Sequence, residues 1–168
     1  MVGSRIARVE DVKELSNIQK SAFLPIFLRY HDTGNPCLYG TEDITKRLES
    51  RDIRYYCILE NGKLVGGMFY KCSGSTPFGE LGHGEYHLGR IYIDPDRQNR
   101  GIARRAIMLG EREFPDAVRF TLEAPEELRS SRFCYSNAGF DDTGERLEIS
   151  PGLVLAAFEK RMKRPALA

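Results

Sequence analysis

The sequence has almost no excess of either charge. Its 168 residues include 25 lysines and arginines against 24 aspartates and glutamates, for a formal net charge of +1. A protein that binds nucleic acid or an acidic membrane surface through bulk charge needs a clear basic excess. We therefore predict neither nucleic acid nor a membrane as a partner.

Long apolar runs and clustered cysteines are also missing. No stretch approaches the roughly 18 to 20 apolar residues of a membrane-spanning helix, and the opening MVGSRIARVEDV lacks the apolar core of a secretory signal. The four cysteines, Cys37, Cys57, Cys72 and Cys134, stand far apart, without a C-x-x-C pair or a close histidine partner. We expect a cytoplasmic protein with reduced thiols, without a disulfide framework and without a metal site.

Two phosphate-binding motifs are absent as well. The chain has no G-x-x-x-x-G-K-[ST] segment and no G-x-G-x-x-G after a first strand. A nucleoside-triphosphate or dinucleotide site of either type therefore lacks its required glycines.

The chain does carry a regular series of strand and helix patterns, and its length favours a single domain over residues 1–168. Residues 5–9 alternate as an opening strand. Asp11 and Glu14 have the spacing of a capping box for a first helix, which Pro25 should limit. The later elements are a helix from Thr41, a hairpin over 53–72 through Asn61-Gly62, a loop at 73–84, a strand at 85–93, a helix at 101–114, a strand at 117–124, a helix leaving at Gly139, and strands at 145–150 and 153–162. The predicted order is β-α-α-β-β-β-α-β-α-β-β, an α/β fold with a mixed sheet.

Glycine at position 89 interrupts the strand at 85–93. Glycine inside a strand often marks a β-bulge, and the alternative is that Gly89 relieves a close side-chain contact.

A charged turn, residues 97–101, joins that strand to the next helix. The first turn of a helix leaves about four amides without intrahelical partners and carries a partial positive charge. Arg97, Asn99 and Arg100 are mostly donors themselves, and Gly101 lets a ligand approach the backbone. The turn therefore favours a bound anion such as phosphate, and the alternative is a solvated surface turn.

The same turn resembles a family motif. Gln98-Asn99-Arg100-Gly101-Ile102-Ala103 matches the Q/R-x-x-G-x-G/A pattern of the GNAT superfamily of N-acetyltransferases, and residues 135–140, YSNAGF, match its Y-x-x-x-G-F. The element order over residues 5–162 also resembles the whole family fold. The resemblance implies that the strands at 85–93 and 117–124, the fourth and fifth, splay apart.

The resemblance also implies acetyl-CoA as the acyl donor. Its pyrophosphate would lie on the amides of Gln98, Asn99, Arg100, Gly101, Ile102 and Ala103, with Arg97, Arg100 or Arg104 meeting other phosphate oxygens. Its pantetheine arm would pair with the backbone of Ile91, Tyr92 and Ile93.

The implied reaction is direct attack of an amine on the thioester in a ternary complex. Tyr135 is the candidate acid for the leaving thiolate, the alternative being a tyrosine that packs a helix on the sheet. His87 is the preferred base, because imidazole accepts protons at neutral pH. Some family members have a glutamate at its position. Glu85, on the same strand face, is the second candidate base, and water is the third.

The acceptor would contact the segments 23–40 and 73–84, and Phe27, Tyr30 and Glu85 are the candidate acceptor-binding residues. A small-molecule amine or amino-acid derivative is favoured over a protein tail. The alternatives are a non-catalytic acyl-CoA sensor and a protein N-terminal or lysine acetyltransferase. Exposed terminal strands make a homodimer possible.

Overall fold

The computed structural model describes residues 1–163, which form four α-helices and a seven-stranded mixed sheet. The element order confirms the predicted one. The elements are β1 (Val2–Ile6), α1 (Val12–Tyr30), α2 (Thr41–Glu49), β2 (Ile53–Glu60), β3 (Lys63–Lys71), β4 (Glu85–Ile93), α3 (Ile102–Glu111), β5 (Arg119–Pro125), α4 (Arg129–Asn137), β6 (Asp141–Ser150) and β7 (Leu153–Arg161). The predicted loop at 73–84 also contains a small antiparallel hairpin, whose strands Ser75–Thr76 and Gly79–Glu80 have two residues each.

The strands lie in the order β1-β2-β3-β4-β5-β7-β6. Neighbouring strands run antiparallel except β4 and β5, which are parallel. This parallel pair lies at the centre of the sheet.

Helices cover both faces of the sheet because the strands are apolar on both sides. On one face α1 and α2 bury Leu15, Ile18 and Ile44 against strand residues that include Tyr55. On the other face α3 buries residues such as Ile102 against a larger core. On the first face the helices pack on β2, β3 and β4, and within the described residues they leave β5, β7 and β6 without a helix there.

The first strand and the first helix differ from the prediction. The strand spans Val2–Ile6 rather than 5–9, and a short 3₁₀ turn at Val9–Asp11 precedes α1. The Asp11 carboxylate accepts the Arg8 N–H at 2.8 Å and forms a two-pronged ion pair with Arg5 at 2.7 and 2.9 Å. Because these contacts occupy Asp11, the predicted capping box with Glu14 does not form.

Pro25 does not end the first helix, which continues to Tyr30. Proline removes the N–H that would donate to the carbonyl of Ser21. Both Ser21 and Pro25 are solvent-exposed, so water can satisfy that carbonyl. The prediction of an early stop was therefore wrong.

Two turn predictions are confirmed. Asn61 and Gly62 have positive φ values of 51° and 79°, as the hairpin requires. Gly139 has a φ of 95° and ends α4, and the Phe140 N–H donates to the Tyr135 carbonyl at 3.0 Å. Within residues 1–163, no helix combines the length and hydropathy of a membrane span.

Candidate active site

The centre of the sheet opens between β4 and β5. The two strands pair only through Glu85–Arg119, Tyr86–Phe120 and His87–Thr121, the pairs found in the described part of the chain. Beyond His87 the strands diverge, as the family resemblance implied. The divergence leaves a cleft bordered by the second half of each strand.

Gly89 is the bulge residue of β4. Arg90 pairs with Phe69 on β3, and Leu88 pairs with Tyr70, so Gly89 is left over. A Cβ on Gly89 would lie 2.3 Å from Phe69 Cε1. Gly89 therefore both forms a β-bulge and relieves a close contact with Phe69. The bulge also switches the faces of β4, so that Leu88 packs on the α3 side and Tyr92 on the α1 side.

The β4 backbone presents polar groups to the cleft. The Asp94 N–H donates to the Val65 carbonyl on β3 at 2.7 Å, and hydrogen-bonded pairs alternate along an antiparallel ladder. Tyr92 therefore turns its backbone groups toward β3, whereas Ile91 and Ile93 turn theirs toward β5. The Ile93 carbonyl accepts from Gln98 Nε2 at 2.9 Å, which leaves both groups of Ile91 and the N–H of Ile93 facing the cleft.

The start of α3 lies at the end of β4. Asn99 and Gly101 have positive φ values of 64° and 76°, and the first bond into the helix runs from the Arg105 N–H to the Gly101 carbonyl at 3.2 Å. The amides of residues 102–104 precede that bond and have no intrahelical partner. No side chain within residues 1–163 caps this helix. The turn therefore offers free donors to an anion.

The arginines of this turn differ in how they are engaged. Arg97 forms an ion pair with Glu60 at 3.3 Å, whereas Arg100 and Arg104 are exposed and form no ion pair with the described residues. Arg100 and Arg104 are therefore the cations available to a phosphate at this turn.

A polar cluster stands where β4 and β5 part, and we call His87, Thr121 and Glu123 the strand-fork cluster. His87 is 4% exposed, and its Nδ1 lies 2.7 Å from Thr121 Oγ1. Its Nε2 lies 2.6 Å from Glu123 Oε2, but the two atoms are not aligned as a hydrogen bond. The predicted base is thus held by two residues of the neighbouring strand.

Sequence reasoning missed Thr121 and Glu123. A signal for them exists, because alternation places Arg119, Thr121 and Glu123 on one face of β5. The parallel neighbour β4 presents Glu85 and His87 on its adjoining face. Only the pairing register, with His87 opposite Thr121, brings the two sets together.

Glu85, the second candidate base, is engaged elsewhere. Its carboxylate accepts the Gly82 N–H at 2.6 Å and forms an ion pair with Arg119 at 3.0 Å. The hydrogen bond from Gly82, with the Arg119 contact, holds the pKa of Glu85 below its ordinary value. Glu85 is therefore a weak proton acceptor.

Tyr135 lies on α4, half-buried, with its ring 6.0 Å from that of Phe158. Burial raises the pKa of its hydroxyl above the ordinary tyrosine value, and the neighbouring Cys134 and Glu123 add to the shift. The phenol therefore stays protonated at neutral pH and can donate.

The candidate acceptor residues of α1 lie apart from the cluster. Phe27 lines an open apolar groove with Leu24 and Leu38, whereas His87 lines a different, more enclosed cavity. The Tyr30 hydroxyl donates to Glu127 Oε2 at 2.8 Å, which ties the end of α1 to the segment between β5 and α4.

The cavity beside His87 lies under the segment 73–84. That segment contributes Phe78 and Leu81 to its wall, and Thr121 and Thr143 line the opposite side. The segment therefore shapes the space next to the strand-fork cluster.

Comparison with known proteins places this fold and site in context. The profile described as the acetyltransferase (GNAT) family matches residues 13–140. The uncharacterized protein YrkN of Bacillus subtilis (strain 168) is 24% identical over 137 residues, which cover 80% of this chain and 70% of YrkN.

Solved structures share the fold at low identity. The aminoglycoside acetyltransferase AAC(6′)-Ib, in complex with coenzyme A, matches with a TM-score of 0.74 and 14% identity over 96% of this chain and 95% of that one. The ribosomal-protein-S18-alanine N-acetyltransferase of Escherichia coli matches with a TM-score of 0.70 and 14% identity, over 100% and 99% of the two chains.

Proposed function

The chain belongs to the acetyltransferase (GNAT) family, and on that premise we propose that it moves an acetyl group from acetyl-CoA to the primary amine of a small molecule or amino-acid derivative. One observation carries the proposal. The uncapped start of α3 stands at the end of β4, where backbone groups of Ile91 and Ile93 are turned toward a cleft that leads back to the strand-fork cluster.

The residues of this region suit the donor. Amides of residues 98–103 would hold the pyrophosphate, as helix N-termini do for anions, with Arg100 and Arg104 beside them. The pantetheine arm contains amides, and the cleft-facing groups of Ile91 and Ile93 would pair with it as a further strand. A solved relative with this fold, AAC(6′)-Ib, contains coenzyme A, which supports the assignment.

The chemistry requires proton removal from the nitrogen and proton delivery to the sulfur. An alkylamine has a pKa near the lysine value of ~10.4, so a proton must leave before its nitrogen can attack. The strand-fork cluster, with His87 at its centre, receives that proton. Cleft-facing backbone N–H groups of β4 polarise the thioester carbonyl, and Tyr135 gives a proton to the departing thiolate.

The shape of the site favours a small acceptor. The cavity beside His87 is enclosed by the segment 73–84, and Tyr30 ties α1 to Glu127. Because this segment lines the cavity, its residues limit the size of the acceptor. AAC(6′)-Ib, which has the same fold, is an aminoglycoside acetyltransferase.

The test is to incubate the purified protein with acetyl-CoA and a panel of primary amines while recording free thiol. Calorimetry with CoA runs in parallel. We expect CoA binding and amine-dependent thiol release with at least one small amine. Binding without release from any amine or peptide contradicts the enzyme and indicates a sensor, release only with peptides indicates a protein acetyltransferase, and no CoA binding contradicts the whole proposal.

A further inference from the structure

Both ring nitrogens of His87 are already occupied. Nδ1 contacts the Thr121 hydroxyl at 2.7 Å, Nε2 contacts the Glu123 carboxylate at 2.6 Å, and the side chain is 5% exposed. An acceptor amine therefore cannot reach either nitrogen unless Thr121 or Glu123 moves away.

Glu123 is the more accessible member of the pair. Its side chain is 17% exposed, although Oε2 is buried against His87 without an aligned hydrogen bond among residues 1–163. It lies two residues past Thr121, beyond the last β4–β5 pair and therefore in the diverging part of β5. Of the two partners, Glu123 therefore leaves the larger surface for a ligand to contact.

Glu123 also differs from the other partly buried carboxylates in its partners. Glu85 and Glu159 pair with Arg119, and Glu111 pairs with Lys160. The ion-pair contact of Glu123 within residues 1–163 is with a histidine. An adjacent permanent cation makes a carboxylate a poorer proton acceptor, and no arginine or lysine in the described chain does this to Glu123.

These contacts lead to an assignment that rests on the proposed function. We propose that Glu123 is the residue that takes the proton from the acceptor nitrogen, and that His87 positions its carboxylate. Glu123 is the catalytic residue because its side chain is the more exposed of the two, and His87 acts through it. Thr121 completes the arrangement by fixing the imidazole from its other nitrogen.

The step balances as a simple acyl transfer. The nitrogen lone pair forms a C–N bond with the thioester carbonyl carbon, and the C–S bond breaks. Glu123 first takes one proton from the ammonium form of the acceptor and releases it to solvent. It takes a second proton from the nitrogen as the C–N bond forms, and the thiolate takes one from Tyr135, which recovers it from the Glu123–His87 pair. The products are the N-acetylated amine and the free thiol of CoA.

The surroundings of Tyr135 are consistent with this division of roles. Burial, with the charges of Cys134 and Glu123, holds the pKa of the Tyr135 hydroxyl above its ordinary value. Tyr135 is therefore protonated at neutral pH and can donate to the departing thiolate.

The test compares Glu123→Gln, Glu123→Asp, His87→Gln and the Glu123/His87 double variant, using the best amine from the panel. We expect Glu123→Gln to lower kcat by about 10²–10⁴-fold, the usual range for a general base, with Kd for CoA unchanged. His87→Gln should lower kcat less, and the double variant should be no worse than Glu123→Gln, because the two residues act as a unit. Glu123→Asp should recover part of the rate.

A matched pair of acceptors separates proton removal from a structural effect. A trifluoromethyl group on the amino-bearing carbon lowers the amine pKa, so an acceptor with that group is largely neutral at the assay pH. We expect the loss in Glu123→Gln to shrink with that acceptor. Glu148→Gln, an exposed carboxylate of β6, should match the wild type throughout. A larger loss in His87→Gln than in Glu123→Gln, or no loss in Glu123→Gln, overturns the proposal.

A second measurement needs no acceptor and so distinguishes this proposal from the proposed function. The chain has only 3 histidines, so ¹⁵N spectra can resolve each imidazole. We expect the His87 proton on Nε2, facing Glu123, and a change of the His87 signals alone in Glu123→Gln. An unchanged His87 contradicts the pair even if thiol release is seen. An absence of thiol release with every amine contradicts the proposed function instead.

Discussion

Replacing Gly101 with alanine tests the anion site without removing any side chain. Gly101 has a φ of 76°, and a Cβ built there meets no atom within 4 Å. The cost of alanine is therefore backbone strain, about 1–2 kcal/mol for an L-residue in the left-handed region. Gly152, between β6 and β7, has a φ of 80° and the same open surroundings, so Gly152→Ala is a matched control.

The two variants should lose the same stability and differ in CoA binding. For a chain of this length, 1 kcal/mol shifts Tm by about 2–4 °C, so both should melt about 2–8 °C lower than the wild type. In Gly101→Ala the new methyl group also stands before the free amides at the start of α3. Losing one hydrogen bond to a charged phosphate costs about 1.5–3 kcal/mol, which weakens CoA binding by about 10–150-fold.

Calorimetric titration with CoA and thermal melting of both variants provide the measurements. Equal CoA affinity of Gly101→Ala and Gly152→Ala would refute the anion site at the start of α3. An equal loss in both variants would be explained by backbone strain alone.

Three further changes have distinct outcomes. Tyr135→Phe should lower kcat by about 10²–10⁴-fold with Kd for CoA unchanged, and a full rate in the thiol assay would exclude the hydroxyl as the acid. Gly89→Ala should lose about 1–3 kcal/mol in urea unfolding, because its Cβ would lie 2.3 Å from Phe69 Cε1; wild-type stability would contradict that clash. The hydrogen bond from Arg146, 2.7 Å away, lowers the pKa of Asp142 to about 2. Asp142 therefore stabilises the fold above the unfolded aspartate pKa of ~3.9, and this contribution disappears as pH falls from there through about 2. The difference in unfolding free energy between wild type and Asp142→Asn should shrink over that window, and a constant difference would contradict the ion pair.

The parts of the fold that could be predicted from sequence depend on local backbone sterics. Asn61-Gly62 and Gly139 carry positive φ because few other residues tolerate it, and the structure has the turns that they predicted. The end of α1 could not be predicted from local backbone sterics. The effect of Pro25 depends on whether the Ser21 carbonyl reaches water, which is a property of the packed helix.

The same distinction applies to the candidate site. The turn at residues 97–101 is contiguous in sequence, so its glycine and its position before a helix were visible. The strand-fork cluster, in contrast, combines residues of β4 and β5, and His87 and Glu123 are 36 positions apart in the sequence. Alternation assigns each residue to a strand face, but it does not fix the register that sets His87 opposite Thr121.

A crystal structure of the protein with CoA tests the central claim most directly. We predict pyrophosphate oxygens within hydrogen-bond distance of the amides at the start of α3, and a pantetheine arm paired with Ile91 and Ile93 in the cleft between β4 and β5. CoA bound elsewhere, with the α3 amides capped by the protein's own side chains, would contradict the account.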